Sequence, residues 1–221
     1  MSSTAMVTPQ KIPSTFRLTI TLFLAGLLSG LIIVTAYQAT LPRITANRAA
    51  ALQRAVFEVL PGAERMEAIV LRDGAPAVVA APAPGEPVVY AGYGADGALI
   101  GYAIPAEGPG FQDTISLLFG WNPATRRIVG LQILESRETP GLGDKIYKDQ
   151  RWLNDFRDLA GEPKVVVVKG GTSAPNEIDA ITGATISSKA VASIVNGAGA
   201  TWFSALPAEG PDSKPGPGDT P

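Results

Sequence analysis

Residues 18–37, LTITLFLAGLLSGLIIVTAY, run for 20 residues without one charged side chain. At about 1.5 Å of rise per residue, a helix of that length spans roughly 30 Å, the thickness of a bilayer's hydrocarbon core. A long helix buried in a soluble core keeps a polar face, and this run has none. It therefore predicts a transmembrane helix. Gly26, Ser29 and Gly30 are small enough to let a second membrane helix approach, although they also fit the ordinary composition of a span. The rival is a cleaved signal peptide, with Val34-Thr35-Ala36 as the cleavage site. Such peptides have apolar cores of only about 7–15 residues, so the length favours a retained anchor. Charge does not orient it. Lys11 and Arg17 precede the run while Arg43, Arg48 and Arg54 come after it, which is nearly a tie under the positive-inside rule.

Beyond the span, the chain works within a narrow chemistry. The 221 residues include no cysteine and no histidine. Disulfides, Fe–S ligation by this chain, haem attachment through CxxCH, Ser-His-Asp or Cys-His catalysis and most zinc sites are excluded. Redox chemistry here needs an organic cofactor. A net charge of −2 with no basic cluster argues against nucleic acid as a partner.

Residues 38–61 are read as a helical stalk. ITANRAAALQRAVFEVL (44–60) is rich in helix formers, and Pro61-Gly62 ends it. From 66 to 134 the pattern changes to short runs rich in β-branched and aromatic residues: MEAIVL, PVVYAGY, ALIGYAI, TISLLFG and IVGLQIL. Turn signals at Asp73-Gly74, Pro84-Gly85, Asp96-Gly97 and Asn122-Pro123 separate them, which predicts an antiparallel meander. DQRWLNDFRDLA (149–160) predicts a helix with Trp152, Leu153, Phe156 and Leu159 on one face. KVVVV (164–168) is a buried-strand candidate. Residues 185–203 predict a last amphipathic helix, with Ile186, Ala190, Ile194 and Val195 on its packed face. The Pro- and Gly-rich stretch 206–221 predicts a disordered tail. The fold class is thus α+β: one transmembrane helix, then a domain over 62–205 with an antiparallel sheet and packed helices.

Two polar, Gly-rich stretches stand out. In RETPGLGDK (137–145), two glycines and a proline mark a tight turn, and backbone without a Cβ can approach a ligand. Leu142 would be apolar and exposed there. An ordinary loop turn explains the composition equally. KGGTSAPNEIDAITGATISSK (169–189) ends a strand and leads into the last helix. Amides at a helix start favour an anion, and Thr182, Thr185, Ser187 and Ser188 add hydroxyls, which suits a phosphate. A Ser/Thr helix cap suits the same residues. Composition leaves both readings open. Neither a Walker A nor a GxGxxG dinucleotide spacing is present.

Asp179 followed by Thr182-Gly183-Ala184-Thr185 matches the pattern D-x-x-[S/T]-G-A-T, which resembles the flavinylation motif of FMN-binding domains in bacterial respiratory complexes. The family includes the G subunit of the Rnf electron transport complex and the C subunit of the sodium-translocating NADH:quinone reductase. GPGFQDTISLLFGWNPATRRIVGLQILESRETPGLGDKI (108–146), WLNDF (152–156) and KGGT (169–172) resemble the Rnf G subunit as well. The likeness runs over about residues 10–205, and ETPGLGD inclines it towards the Rnf protein rather than the quinone reductase one. Position 182 is Thr where Ser is frequent, and 187 is Ser where Thr is frequent; both keep a hydroxyl.

The resemblance implies FMN joined through its phosphate to the Thr185 hydroxyl by a separate flavin transferase that uses FAD. It implies a cytoplasmic tail over 1–17, the 62–205 domain on the periplasmic side of an inner membrane, and partners among the other membrane and redox subunits of an ion-translocating complex. Thr182 and Ser187 are then expected to donate to phosphate oxygens, and Asp179 to serve recognition by the transferase. Gly183 and Ala184 leave room for that enzyme. Leu142 is expected to stack on the flavin ring, with Gly141 and Gly143 allowing close approach and Glu138 or Thr139 hydrogen-bonding to it. Electron relay, with no substrate converted on this chain, is the function implied. The equivalent FMN protein of a quinone reductase and a flavin-free membrane scaffold are the alternatives.

Overall fold

The computed structural model describes residues 14–72, 74–83 and 85–210. Most of the expected N-terminal tail, Asp73, Pro84 and residues 211–221 of the expected C-terminal tail lie outside the described residues. The chain divides into two compact units, residues 1–49 and 50–221.

One helix, α1 (Thr15–Val59), begins in the first unit and ends in the second. The expected span and stalk are thus continuous, with Pro42 inside the helix. Residues 15–40 are exposed throughout, including Leu22, Phe23, Leu31 and Ile33. Side chains of that kind on every face suit a hydrocarbon environment.

The second unit is built on a seven-stranded antiparallel sheet. Its strands are β1 (Arg65–Arg72), β2 (Ala75–Val79), β3 (Val88–Tyr93), β4 (Leu99–Pro109), β5 (Thr114–Asn122), β6 (Arg127–Glu135) and β7 (Leu159–Ala160), in the order β2-β1-β3-β4-β5-β6-β7. All five runs read as strands in the sequence are strands of this sheet. Alternation along the strands loads both faces. Ile104, Leu117, Phe119 and Trp121 enter the main core under the last helix, while Ala103 and Leu118 point the other way, to Val56, Val59 and Leu60 at the end of α1.

The expected helix over 149–160 is much shorter. The structure has α2 (Lys145–Lys148), α3 (Gln150–Asn154), then turns and β7. Asp158 takes a positive φ of 63°, and Leu159 pairs with Ile128 at the sheet edge. Trp152, Leu153, Phe156 and Leu159 are all buried, but turns and a strand rather than one helix bring them there. The VVVV run is β8 (Val166–Val168), paired in parallel with β9 (Glu177–Asp179) as a separate two-stranded sheet; Val166 is exposed, so this is not a buried strand.

The last helix, α4 (Thr185–Trp202), packs a stripe of Val191, Ala192, Ile194, Val195 and Trp202 on the main sheet. Each large apolar side chain buried there contributes about 1.5–3 kcal/mol. Its register differs from the one expected. Ile186 is 59% exposed, and Ser187 and Ser188 are buried instead.

Candidate functional site

The stretch DAITGATISS leaves β9 and turns into α4. Trp152 Nε1 donates to the Asp179 carbonyl at 2.8 Å, anchoring the start of the turn to α3. Ala184 N donates to Ile181 O at 2.9 Å, closing the turn. Gly183 has φ +86°, a conformation that a side chain would strain. Thr185 then becomes the first residue of α4.

That helix start has no side-chain cap. Ala184 occupies the cap position with φ −132° and ψ 28°. The opening amides of a helix have no acceptor within it, and the aligned peptide dipoles make this end positive. The alternative of a Ser/Thr cap is therefore not what the fold uses.

The hydroxyls in the stretch differ in what holds them. Ser187 Oγ donates to Glu138 Oε2 at 2.5 Å, and Ser188 Oγ donates to Ala184 O at 3.0 Å while accepting from Ile181 N at 3.2 Å. Both are buried. Thr182 and Thr185 have no hydrogen-bond partner for their hydroxyls among the described residues. Of these two, only Thr185 lines the cavity beside the helix start.

That cavity has a volume of about 330 Å³. It joins the two Gly-rich stretches: Thr139, Leu142 and Gly143 form one wall, and Gly183 to Ser187 form the other, with Phe111 at the rim. Leu142, Ile186 and Phe111 are exposed at 52%, 59% and 62%. A planar apolar group with an anionic end fits such a lining: apolar side chains at the mouth, an uncapped helix start and a hydroxyl behind them. The residues present thus suit FMN.

Not every expected site residue faces this cavity. Gly141, with φ +79°, is exposed and shapes the turn without lining it. Thr139 lines the cavity, but its hydroxyl donates to Gln112 Oε1 at 2.7 Å. Glu138 is 4% exposed and turned inward, because Phe111 N and Gln112 N both donate to its Oε1 at 2.9 Å and Ser187 to its Oε2. Burial pushes its carboxyl up, but the bonds from Ser187, Gln112 and Phe111 outweigh that and hold it below the usual range. Ser187 accordingly gives its proton to Glu138 rather than to the cavity.

Asp179 and Thr182 line a second cleft of about 490 Å³, with Lys145, Asp149, Arg151 and Asp155. The Asp179 carboxylate accepts from Gly171 N at 3.2 Å. Burial, with Asp149 and Asp179 adding to it and Arg151 opposing, pushes the Asp155 carboxyl up. Lys145 stands between the two sites, donating from Nζ to Thr182 O at 2.9 Å and lying close to Gly183. Sequence reasoning missed Lys145, Phe111 and Ile186 as neighbours of Thr185. The available signal was an aromatic residue in the Gly/Pro turn GPGFQD and, for Ile186, a position out of phase with the apolar stripe.

Comparison with known proteins bears on the same region. The family model of the FMN-binding domain matches residues 110–200, which include both walls of the cavity. The G subunit of the Na(+)-translocating ferredoxin:NAD(+) oxidoreductase complex of Acetobacterium woodii is 39% identical over 145 residues, covering 63% of this chain and 68% of its own. The G subunit of the ion-translocating oxidoreductase complex of Methanosarcina acetivorans is 28% identical over 186 residues, covering 82% of this chain and 91% of its own. Among solved structures, NqrC of Shewanella oneidensis superposes with a TM-score of 0.58 at 21% identity, covering 72% of this chain and 94% of its own; the two share a fold.

Proposed function

The chain belongs to the family of G subunits of ion-translocating oxidoreductase complexes, and on that premise we propose that it relays electrons through an FMN attached covalently to Thr185. The observation that carries the choice of atom is the state of the hydroxyls. Thr185 alone in DAITGATISS combines an unengaged hydroxyl with a place in the cavity wall. FMN, when bound, supplies reversible one- and two-electron chemistry, and a chain without Cys has no thiol couple or cysteine-held cluster of its own to supply it.

The chain's own residues hold the group. The amides that open α4 and the positive end of that helix offset the phosphodiester charge, and the Lys145 ammonium beside Gly183 adds to them. Gly183 and Ala184 keep the approach to Thr185 clear. Leu142 would face the ring, with Gly143 and Thr139 completing that wall. Asp179, in the second cleft, serves a flavin transferase rather than the flavin, since a carboxylate beside a phosphodiester repels it. In the transfer, the Thr185 O–H bond and the P–O bond joining the FMN half of FAD to AMP break. An Oγ–P bond forms, AMP leaves, and a base on the transferase takes the proton.

Residues 18–37 anchor the chain in the membrane, with 1–17 in the cytoplasm, 38–61 as the stalk and the domain from 62 on the periplasmic side of the inner membrane; the domain runs past the expected boundary at 205, since Leu206 is buried in the core and the Tyr102 hydroxyl donates to Pro207 O at 2.8 Å. The other membrane and redox subunits of the complex donate and accept the electrons. The test is co-expression with a flavin transferase. The wild-type chain is expected to fluoresce as a flavoprotein in a denaturing gel and to gain the mass of one FMN, and Thr185→Ala to do neither. A fluorescent Thr185→Ala band would refute the attachment.

A further inference from the structure

We propose that Glu138 is a positioning residue for the flavin: its buried carboxylate ties the Phe111–Gln112 turn to the first turn of α4 and so sets the spacing of the cavity walls. The inference rests on the reading of the cavity as the FMN site. Three separate pieces of chain meet at this one group. Phe111 N and Gln112 N, at the tip of the β4–β5 hairpin, donate to Oε1 at 2.9 Å, and Ser187 Oγ, in α4, donates to Oε2. Phe111 and Ser187 both line the cavity, as do Thr139 and Gly143 from the turn that carries Glu138 itself. A charge-assisted bond to a buried carboxylate is stronger than a neutral one, so these bonds add to the neutral turn bond from Gly110 N to Asp113 O at 2.9 Å in fixing the exposed hairpin tip. Phe111, at 62% exposure, gains little from packing, so its position depends on its backbone.

The surrounding sequence is fitted to this carboxylate. A Cβ at Gly143 would stand 2.6 Å from Oε2 and 2.8 Å from Glu138 Cβ, and one at Gly110 would stand 2.5 Å from Oε1 and 2.6 Å from the Asp113 carbonyl oxygen, so neither position has room for a side chain beside this group. A second bond runs alongside, from Thr139 Oγ1 to Gln112 Oε1. Of the residues that donate to it, Phe111 and Ser187 stand in different parts of the cavity lining, and Gln112 adjoins Phe111. The donors around it also favour its ionised form against burial, which keeps a negative charge behind the wall.

The test uses the full chain in detergent, flavinylated by co-expression with the transferase. Glu138→Gln keeps the shape but removes the charge, and Ser187 Oγ then has to accept from the new amide instead of donating to a carboxylate. It is expected to retain covalent flavin in a denaturing gel. The anisotropy of flavin fluorescence should fall, because the ring is less held, and the midpoint potential should shift to more positive values, because a negative charge is gone. Ser187→Ala removes one arm only; a smaller loss of anisotropy is expected, with little shift in potential. It also carries the test if Glu138→Gln does not fold. Covalently loaded variants with wild-type anisotropy and potential would overturn the proposal and leave the attachment standing. A wild-type chain that gains no flavin would overturn both.

Discussion

Two helices of the domain begin in opposite ways. At α3, Asp149 closes the start from within: its carboxylate accepts from Arg151 N at 3.1 Å and Trp152 N at 3.3 Å. At α4, Ala184 offers the opening amides nothing. Stability would favour a side-chain cap at both, since one contributes about 0.5–2 kcal/mol. Of these two starts, the fold forgoes it at the one where a hydroxyl without a partner among the described residues begins the helix, and holds that first turn instead from outside, through Glu138 and Ser187. A helix start left open in this way is suited to receive an anion, whereas a closed one is suited only to hold its helix.

The largest effect expected comes from disturbing the outside hold. Gly143→Ala would place a Cβ 2.6 Å from Glu138 Oε2, 2.8 Å from Glu138 Cβ and 2.9 Å from Ser187 Oγ. Overpacking of this kind costs about 1–3 kcal/mol. A lowered thermal midpoint and poorer flavin loading should appear together, because the same contacts shape the cavity. Opening the closed start should separate those readouts. Asp149→Ala is expected to cost about 1 kcal/mol in stability while leaving covalent flavin in the gel unchanged. Loss of flavin with Asp149→Ala would break the contrast between the two starts. Closing the open start is the converse experiment. Ala184→Ser offers a hydroxyl to the Ile186 and Ser187 amides and should stabilise the flavin-free chain by about 0.5 kcal/mol. It should also slow flavin loading, since the cap competes for the same amides. Faster loading would contradict the role given to the open end.

Much of this architecture was legible in the sequence where a period or its absence carried the signal. The run 18–37 has no polar face to misread, and β-branched residues marked five strands. The strand β2 escaped because APAVV is short and rich in Ala and Pro, and it pairs only as an edge. The helix expected over 149–160 failed because its apolar spacing recorded burial correctly and conformation wrongly. Asp158 turns the chain, and Leu159 is drawn into β7 by Ile128. At the site, the motif pointed to Thr185, but the competing claims of Ser187 and Ser188 could be weighed only with their tertiary partners in place. Glu138 is 49 residues from Ser187 and 26 from Gln112. No local pattern in a loop says which way such a side chain turns, so a ligand-facing role and an inward one look alike in sequence.

The smallest expected effect concerns pH, and it isolates the outside hold from everything else in the domain. The Glu138 carboxyl is held below its ordinary value of 4.5. A depressed folded value means that the unfolded chain binds the proton more readily, so this group's contribution to stability is fully present above about 4.5. It is lost as pH falls towards and through the lower folded value. Asp144, whose carboxylate takes a hydrogen bond from Lys148, and Glu177, bonded by Ser173 and Ala174, have the same sign, whereas Asp155 has the opposite one. A pH profile of the wild-type chain alone would therefore mix four groups. Subtracting the profile of Glu138→Gln removes the other three, which are the same in both chains. The stability difference between the two should be constant from pH 7 to about 5 and shrink steadily below 4.5, as measured by thermal denaturation followed by tryptophan fluorescence. A difference that stays flat down to pH 3 would mean that the bonds from Phe111, Gln112 and Ser187 do not favour the charged carboxylate, and α4 would then be left without the outside hold that sets it apart from α3.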